Sequence, residues 1–249
     1  MLLPVVFAAS FALAQTGADK RRSGYQDMGA ALQKMQDDDT SNPGMLFVQL
    51  GQQLWSKPAG AANKACADCH SITDMKGVAA RYPAMPKDGD KPVDLEARIR
   101  LCRTANQQAE PFAPESRDLL PLMAFVAHQS RGMPIAPPDD PRLKTFREQG
   151  AAIWTRRQGQ LNLSCAICHD DNAGKKLAGV TIPEAHPTGY PIYRLEWQAL
   201  GSLKRRLRNC LIGVRAEAHP SDAPEYVALE VFLMDRAKGM MFEAPGVRP

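Results

Sequence analysis

The chain has 249 residues, 44% of them apolar and only 6% aromatic, which suits one large or two modest globular domains and excludes a disordered or fibrous protein. A net charge of +4 is too mild to argue for nucleic acid, and no basic tract interleaved with aromatics is present. With only six Cys and five His, each such residue calls for a reason.

Residues 1–14 carry an apolar run from Leu2 that ends in Ala12-Leu13-Ala14, read as a signal peptide with a small-residue cleavage site, although no Lys or Arg precedes it. The run is too short to span a bilayer, and charges recur through the rest of the sequence, so no membrane span is expected. Export to the periplasm is the consequence, with a mature protein beginning near Gln15. Residues 15–42 then form an N-terminal extension with one helix over Gly29 to Gln36, wrapped on the remainder of the chain.

Asn42-Pro43 supplies an N-cap and a proline at the first helical position, and Phe47, Leu50 and Leu54 recur at helical spacing. Cys66-Ala67-Asp68-Cys69-His70 comes next. Two thiols three positions apart can each add to one vinyl group of a porphyrin, and the adjacent His supplies the iron's proximal ligand, so the pattern is that of c-type haem attachment. Further on are Arg81-Tyr82-Pro83, the segment Leu95 to Cys102, and a closing helix with Leu119, Leu122, Phe125 and Val126. That helix is expected to end at a Gly132 C-cap. The stiff, polar stretch Pro134 to Pro141 reads as a linker.

The second half repeats the first. Placing residues 47–71 on 146–170 without gaps aligns Phe47 with Phe146, Gly51 with Gly150, Trp55 with Trp154 and Gly60 with Gly159. The same register puts Cys66, Ala67, Cys69 and His70 on Cys165, Ala166, Cys168 and His169. Asp140-Pro141 opens this copy, Tyr190-Pro191 matches Tyr82-Pro83, and Tyr226, Leu229, Phe232 and Leu233 mark a closing helix before Gly239. The expected fold is therefore mainly α: two tandem cytochrome c-type domains, 43–136 and 137–249, related by internal duplication and holding two covalently bound haem c groups.

Each iron needs a second axial ligand. Once Cys66, Cys69, Cys165 and Cys168 are assigned to haem attachment, Cys102 and Cys210 remain, at equivalent places in two Arg-x-Arg-x-Cys sequences. Each is a candidate thiolate ligand, and Arg98 and Arg206, four residues earlier on the same helical face, can stabilise a thiolate. A Cys102–Cys210 disulfide and two inert buried thiols are the competing readings. Met133 and Met240 fall after the closing helices, Met85 has no counterpart, and His128, His186 and His219, also unmatched, are assigned surface or hydrogen-bonded structural roles. The copies differ in charge: Lys204, Arg205, Arg206, Arg208 and Arg215 lie between Trp197 and Ala216 without an acid, whereas Asp94 and Glu96 temper the first copy. A one-signed field attracts anions, which favours the second haem for substrate chemistry, with Lys204, Arg205 and Arg208 as anion-steering residues.

The paired Cys-x-x-Cys-His motifs, each followed by Arg-x-Arg-x-Cys, together with Gly213-Val214-Arg215-Ala216-Glu217, resemble the SoxA family, the dihaem subunits of the SoxAX cytochromes of bacterial thiosulfate oxidation. The resemblance runs over about residues 43–245. It implies His/Cys ligation at both haems, by His70 with Cys102 and His169 with Cys210. It also implies that Cys210 carries a persulfide and, with Arg206, performs the chemistry. The activity implied is that of an L-cysteine S-thiosulfotransferase: thiosulfate is oxidatively conjugated to a cysteine of the SoxYZ carrier, and two electrons pass to a soluble cytochrome c. A monohaem SoxX subunit is the implied partner. A dihaem electron-transfer cytochrome without sulfur chemistry and a dihaem peroxidase are the rival readings of the motifs.

Overall fold

The computed structural model describes residues 19–249, so the signal peptide expected at residues 1–14 lies outside the described residues. Both repeats start the same way. Asn42 Oδ1 accepts the Gly44 N–H at 2.9 Å and Asp140 Oδ1 accepts the Arg142 N–H at 2.9 Å. Pro43 already has helical angles (φ −65°, ψ −18°), as its ring dictates. Helices α2 (Gly44–Trp55) and α5 (Leu143–Thr155) follow, after a short α1 (Ala30–Asp37) at the place expected in the extension.

Each opening helix packs across the closing helix of its own repeat, α2 on α4 (Leu119–His128) and α5 on α8 (Pro224–Arg236). Helix α4 is buried from Leu119 through Ala127, which accounts for its almost unbroken apolar sequence. The crossings are close because a glycine sits in each: a Cβ on Gly51 would lie 2.0 Å from the Pro121 carbonyl oxygen, and one on Gly150 would lie 2.2 Å from that of Ala228. Beside them, Trp55 packs on Phe125 at 5.5 Å between ring centroids and Trp154 on Phe232 at 5.8 Å. Gly150→Ala is expected to push α5 off α8 and destabilise the protein by about 1–3 kcal/mol. Urea unfolding checks this, and an unchanged midpoint would contradict so close a crossing.

The ligand-bearing sequences form α3 (Leu95–Gln107) and α7 (Leu203–Gly213), with α6 (Cys165–His169) a single turn between α5 and α7. Asp94 Oδ1 caps α3 by accepting the Ala97 N–H at 2.7 Å, and Ser202 Oγ caps α7 by accepting that of Arg205 at 3.1 Å. Asn63 and Asn162, equivalent in the two copies, both adopt left-handed backbone angles, with φ near 47° and 50°.

The expected linker is partly a packed joint. Ile135 is 1% exposed, and residues 132–135 run antiparallel to 239–242: Gly132 N–H donates to Phe242 O, Phe242 to Met133 O, Ile135 to Met240 O, and Gly239 to Ile135 O. These segments are equivalent in the repeats, and their bonds exchange on swapping the copies, so the two domains meet about a local twofold axis, in the manner of an isologous dimer interface. The same pairing moves the two closing glycines from their expected place. Helices α4 and α8 stop at His128 and Arg236, and Gly132 and Gly239 (φ 75° and 85°) come after a further turn, where they enter the joint.

Among the described residues, five short strands add to the helices without a signal in the sequence pattern. β1 (Lys176–Leu177) and β2 (Val180–Thr181) form a hairpin. β3 (Ile192–Arg194) lies between antiparallel β4 (Ala199–Gly201) and parallel β5 (Gly246–Arg248). The extension wraps onto this second domain: Gln36 Oε1 accepts the Val247 N–H at 2.9 Å, Asn42 Nδ2 donates to Pro245 O at 3.1 Å, and Arg21 Nη1 donates to Arg236 O at 2.6 Å. Among the described residues no helix is long and apolar enough to cross a membrane.

Candidate haem sites

The attachment motifs occupy tight turns capped by local polar side chains. Ser164 Oγ accepts the Ile167 N–H at 3.3 Å at the start of α6, and Asp68 Oδ2 accepts the Ala65 N–H at 2.8 Å at the 3-10 turn Cys66–Asp68. One helical turn places residues three apart on the same side, which presents both thiols of a motif together.

Helical spacing places Leu203, Arg206, Leu207 and Cys210 on one face of α7. Leu203 and Leu207 pack in the same apolar cluster as Cys165 and Ala166, so this face is turned toward the second motif. Leu95 and Ile99 of α3 likewise pack in the cluster that includes Cys66, on the face shared by Arg98 and Cys102. Burial raises the Cys66 thiol, with Cys102 adding to the rise, and burial pushes Cys165 up to about 11, with Cys210 adding likewise. Each downstream cysteine is therefore near enough to the first attachment thiol of its own repeat to raise it. All six cysteines are free, so the Cys102–Cys210 disulfide is absent.

The His169 ring is half-buried, and its Nδ1 donates to Pro183 O at 2.7 Å. That bond fixes the tautomer with Nε2 unprotonated, as a metal ligand requires. Burial also holds the imidazole below its ordinary pKa and so neutral. For His70, no ring hydrogen bond occurs among the described residues. Its nearest aromatic neighbour is Trp55, at 6.1 Å between centroids. The donor sets fit covalent haem c: two thiols on one turn, an adjacent imidazole, and a third thiol carried by a helix that packs in the same apolar cluster as that turn.

The basic segment is less open than its sequence implies. Lys204, expected to steer anions, is buried, and its Nζ lies 2.6 Å from Asp94 Oδ2 and 3.6 Å from Glu96 Oε2. The acids of the first copy neutralise it across the twofold, where Glu96 and Lys204 occupy equivalent positions. Arg205 stacks on the Trp197 ring at 4.3 Å and approaches Glu115 at 4.0 Å. Arg205 and Arg208 line a cleft of about 380 Å³ with Asn209 and Ser221, on the side of α7 away from Cys210. These corrections leave Arg206 as the α7 cation that shares a face with Cys210. It is half-buried, and no carboxylate pairs with it among the described residues. A further basic residue escaped sequence reading: Arg194 on β3, held by Glu196 at 2.8 Å, lies near enough to Arg206 for that cation to lower its pKa alongside burial.

Of the remaining histidines, two have ring nitrogens beside polar side chains and one packs on an aromatic ring. His186 Nε2 pairs with Glu184 at 3.1 Å, His128 Nε2 lies 3.5 Å from Arg131 Nη1, and the His219 ring meets Tyr226 edge-on at 5.7 Å. Met240 is buried in the joint between the domains.

Behind Lys204, Glu230 of α8 faces the same interface, where Asp94, Glu96 and Lys204 surround it. Burial first, then the two carboxylates, push its pKa up to about 8 from an ordinary 4.5, against the opposing effect of Lys204. The folded state then holds a proton that the unfolded chain has released between those values. Stability from this group is full below about pH 4.5 and falls as pH rises through about 8. Thermal unfolding across that window is expected to show the decline in the wild type and to lose it in Glu230→Gln; the same slope in both would contradict the assignment.

The family described as SoxA/TsdA, cytochrome c domain, matches the chain at residues 50–135 and again at 149–242. The L-cysteine S-thiosulfotransferase subunit SoxA of Pseudaminobacter salicylatoxidans is 35% identical over 233 residues, covering 92% of this chain and 82% of that protein. The subunit of the same name from Rhodovulum sulfidophilum is 34% identical, covering 92% and 81%. Among solved structures, that of SoxXA from P. pantotrophus superimposes with a TM-score of 0.89 at 29% identity, over 92% of this chain and 87% of the other.

Proposed function

The chain belongs to the SoxA/TsdA cytochrome c family, and from that premise we propose that it is the haem-dependent L-cysteine S-thiosulfotransferase subunit that joins thiosulfate to the cysteine of a SoxYZ-type carrier. The family carries covalently bound haem c. Two would be held here, attached through Cys66 and Cys69 and through Cys165 and Cys168, with His70 and Cys102 as the residues that would ligate one iron and His169 and Cys210 the other. The observation that carries the reading is that Arg206 and Cys210, both half-buried, share the α7 face whose Leu203 and Leu207 pack in the same apolar cluster as the second attachment motif.

Thiosulfate is a dianion whose sulfonate oxygens match a guanidinium fork, so Arg206 holds that end by charge-assisted hydrogen bonds and presents the terminal sulfur to Cys210. In balanced form, the Cys210 thiolate and thiosulfate form a sulfur–sulfur bond and release two electrons. The carrier thiol then attacks the sulfane sulfur bonded to Cys210 Sγ, takes the S-thiosulfonate, and returns the Cys210 thiolate with release of one proton. If Cys210 rests as a persulfide, the same exchange occurs one sulfur further out. A haem held by these residues would supply one-electron redox chemistry, and the two electrons would pass in succession to a soluble cytochrome c. A SoxX-type monohaem subunit is the proposed structural partner, in keeping with the SoxXA superposition, and the periplasm is the proposed location.

The test incubates the protein and a SoxX-type subunit with thiosulfate, reduced carrier and oxidised cytochrome c. The expected result is one thiosulfonate added to the carrier cysteine for every two cytochromes reduced. Cytochrome reduction without carrier modification would favour the electron-carrier reading.

A further inference from the structure

The two proposed proximal sides are built differently, although both have a tryptophan next to the histidine. In the second copy the residue after His169 is Asp170, and both of its carboxylate oxygens are taken. Trp154 Nε1–H donates to Oδ2 at 2.6 Å and Arg236 Nη2 donates to Oδ1 at 2.8 Å. The Arg236 guanidinium also lies over the Trp154 ring at 4.8 Å and over Phe232 at 5.7 Å. The Trp154 ring in turn stands 5.7 Å from the His169 ring, at an interplanar angle of 30°. Asp170 N–H donates to Ala166 O at 2.8 Å, so the carboxylate is fixed to the same turn that bears the histidine.

The first copy has the tryptophan without the clamp. Ser71 stands where the second copy has Asp170, and its hydroxyl pairs with Thr73 at 2.8 Å. When Phe125 is set on Phe232, Gln129 falls in the place of Arg236, and its amide donates to Phe125 O at 3.0 Å. Trp55 has no Nε1 partner among the described residues.

We propose that Asp170 is a positioning residue of the second haem: with Trp154 and Arg236 it builds a rigid, charge-paired tray under His169 that the first site lacks. The tray ties three separate segments, α5, the attachment turn and α8, to the orientation of one imidazole. An ion pair held behind a metal ligand is one of the protein's levers on an iron centre, because it sets both ligand orientation and local charge. The proposal rests on the assignment of haem to both motifs.

Asp170→Asn tests it in the full-length holoprotein, with haem content, electron paramagnetic resonance and potentiometric titration as readouts. With two haems retained, one low-spin signal is expected to change its g-values and one reduction potential to rise, because a negative charge has left the proximal side. The other haem stays as in the wild type. The signal that moves must be the one that Cys210→Met also moves, and Trp154→Phe, which keeps the ring and removes the N–H, must move it too. Two haems with unchanged signals and potentials, or equal shifts at both, would overturn the clamp. A wild type carrying a single haem would instead overturn the assignment on which it rests.

Discussion

Cys210→Met is expected to abolish conjugation of thiosulfate to the carrier, on the order of 10³-fold or more, with both haems still attached. Attachment depends on Cys66, Cys69, Cys165 and Cys168, none of which the substitution touches, and methionine can still occupy an axial position. What is lost is the one sulfur on α7 that can form a bond with the substrate's sulfur and then release it. Cys102→Met provides the contrast, since it removes the equivalent residue from the copy whose Arg98 is exposed where Arg206 is half-buried: it is expected to alter one haem's spectrum and leave conjugation standing. The measurement is carrier mass after reaction, alongside haem content. Wild-type turnover in Cys210→Met would remove this residue from the chemistry.

The second large effect is on stability. Lys204 is the cation that Asp94 and Glu96 share at the buried interface, at 2.6 and 3.6 Å. Lys204→Met keeps the length of the stem and removes the charge, leaving two carboxylates facing each other and Glu230. A destabilisation of about 3–5 kcal/mol is expected, the cost typical of breaking one side of a buried pair. Urea unfolding of the holoprotein measures it. Adding Asp94→Asn and Glu96→Gln to Lys204→Met is expected to recover most of the loss, because the penalty comes from uncompensated charge rather than from missing packing. A loss below about 1 kcal/mol would show that water reaches the cluster and screens it.

Much of this molecule is legible in its sequence, for a physical reason. A duplicated sequence states its constraints twice, so Gly51 with Gly150 and Trp55 with Trp154 can be paired by eye, and both prove to sit at the helix crossings. Likewise, Cys102 and Cys210 stand out as a matched remainder, and each is near enough to the first attachment thiol of its own repeat to raise it. Two of the misreadings concern what lies between the copies. Lys204 reads as a free cation because its counter-ions, Asp94 and Glu96, are a hundred residues away in the chain and meet it only through the twofold packing. Ile135 sits in a proline-rich stretch that looks like a linker, and no local signal says that 132–135 pairs with 239–242. Strands of two or three residues are too short to show an alternating pattern. The Asp170 clamp is hidden for the opposite reason: it is one of the places where the repeat is broken, and comparing the copies draws the eye to what they share.

Low-temperature electron paramagnetic resonance of the oxidised holoprotein reads the identity of the second axial ligands. Two low-spin ferric signals with the narrow g-spread of His/thiolate ligation are expected, one of them lost from that class in Cys102→Met and the other in Cys210→Met. Signals of His/Met type in the wild type, unmoved by either substitution, would contradict thiolate ligation.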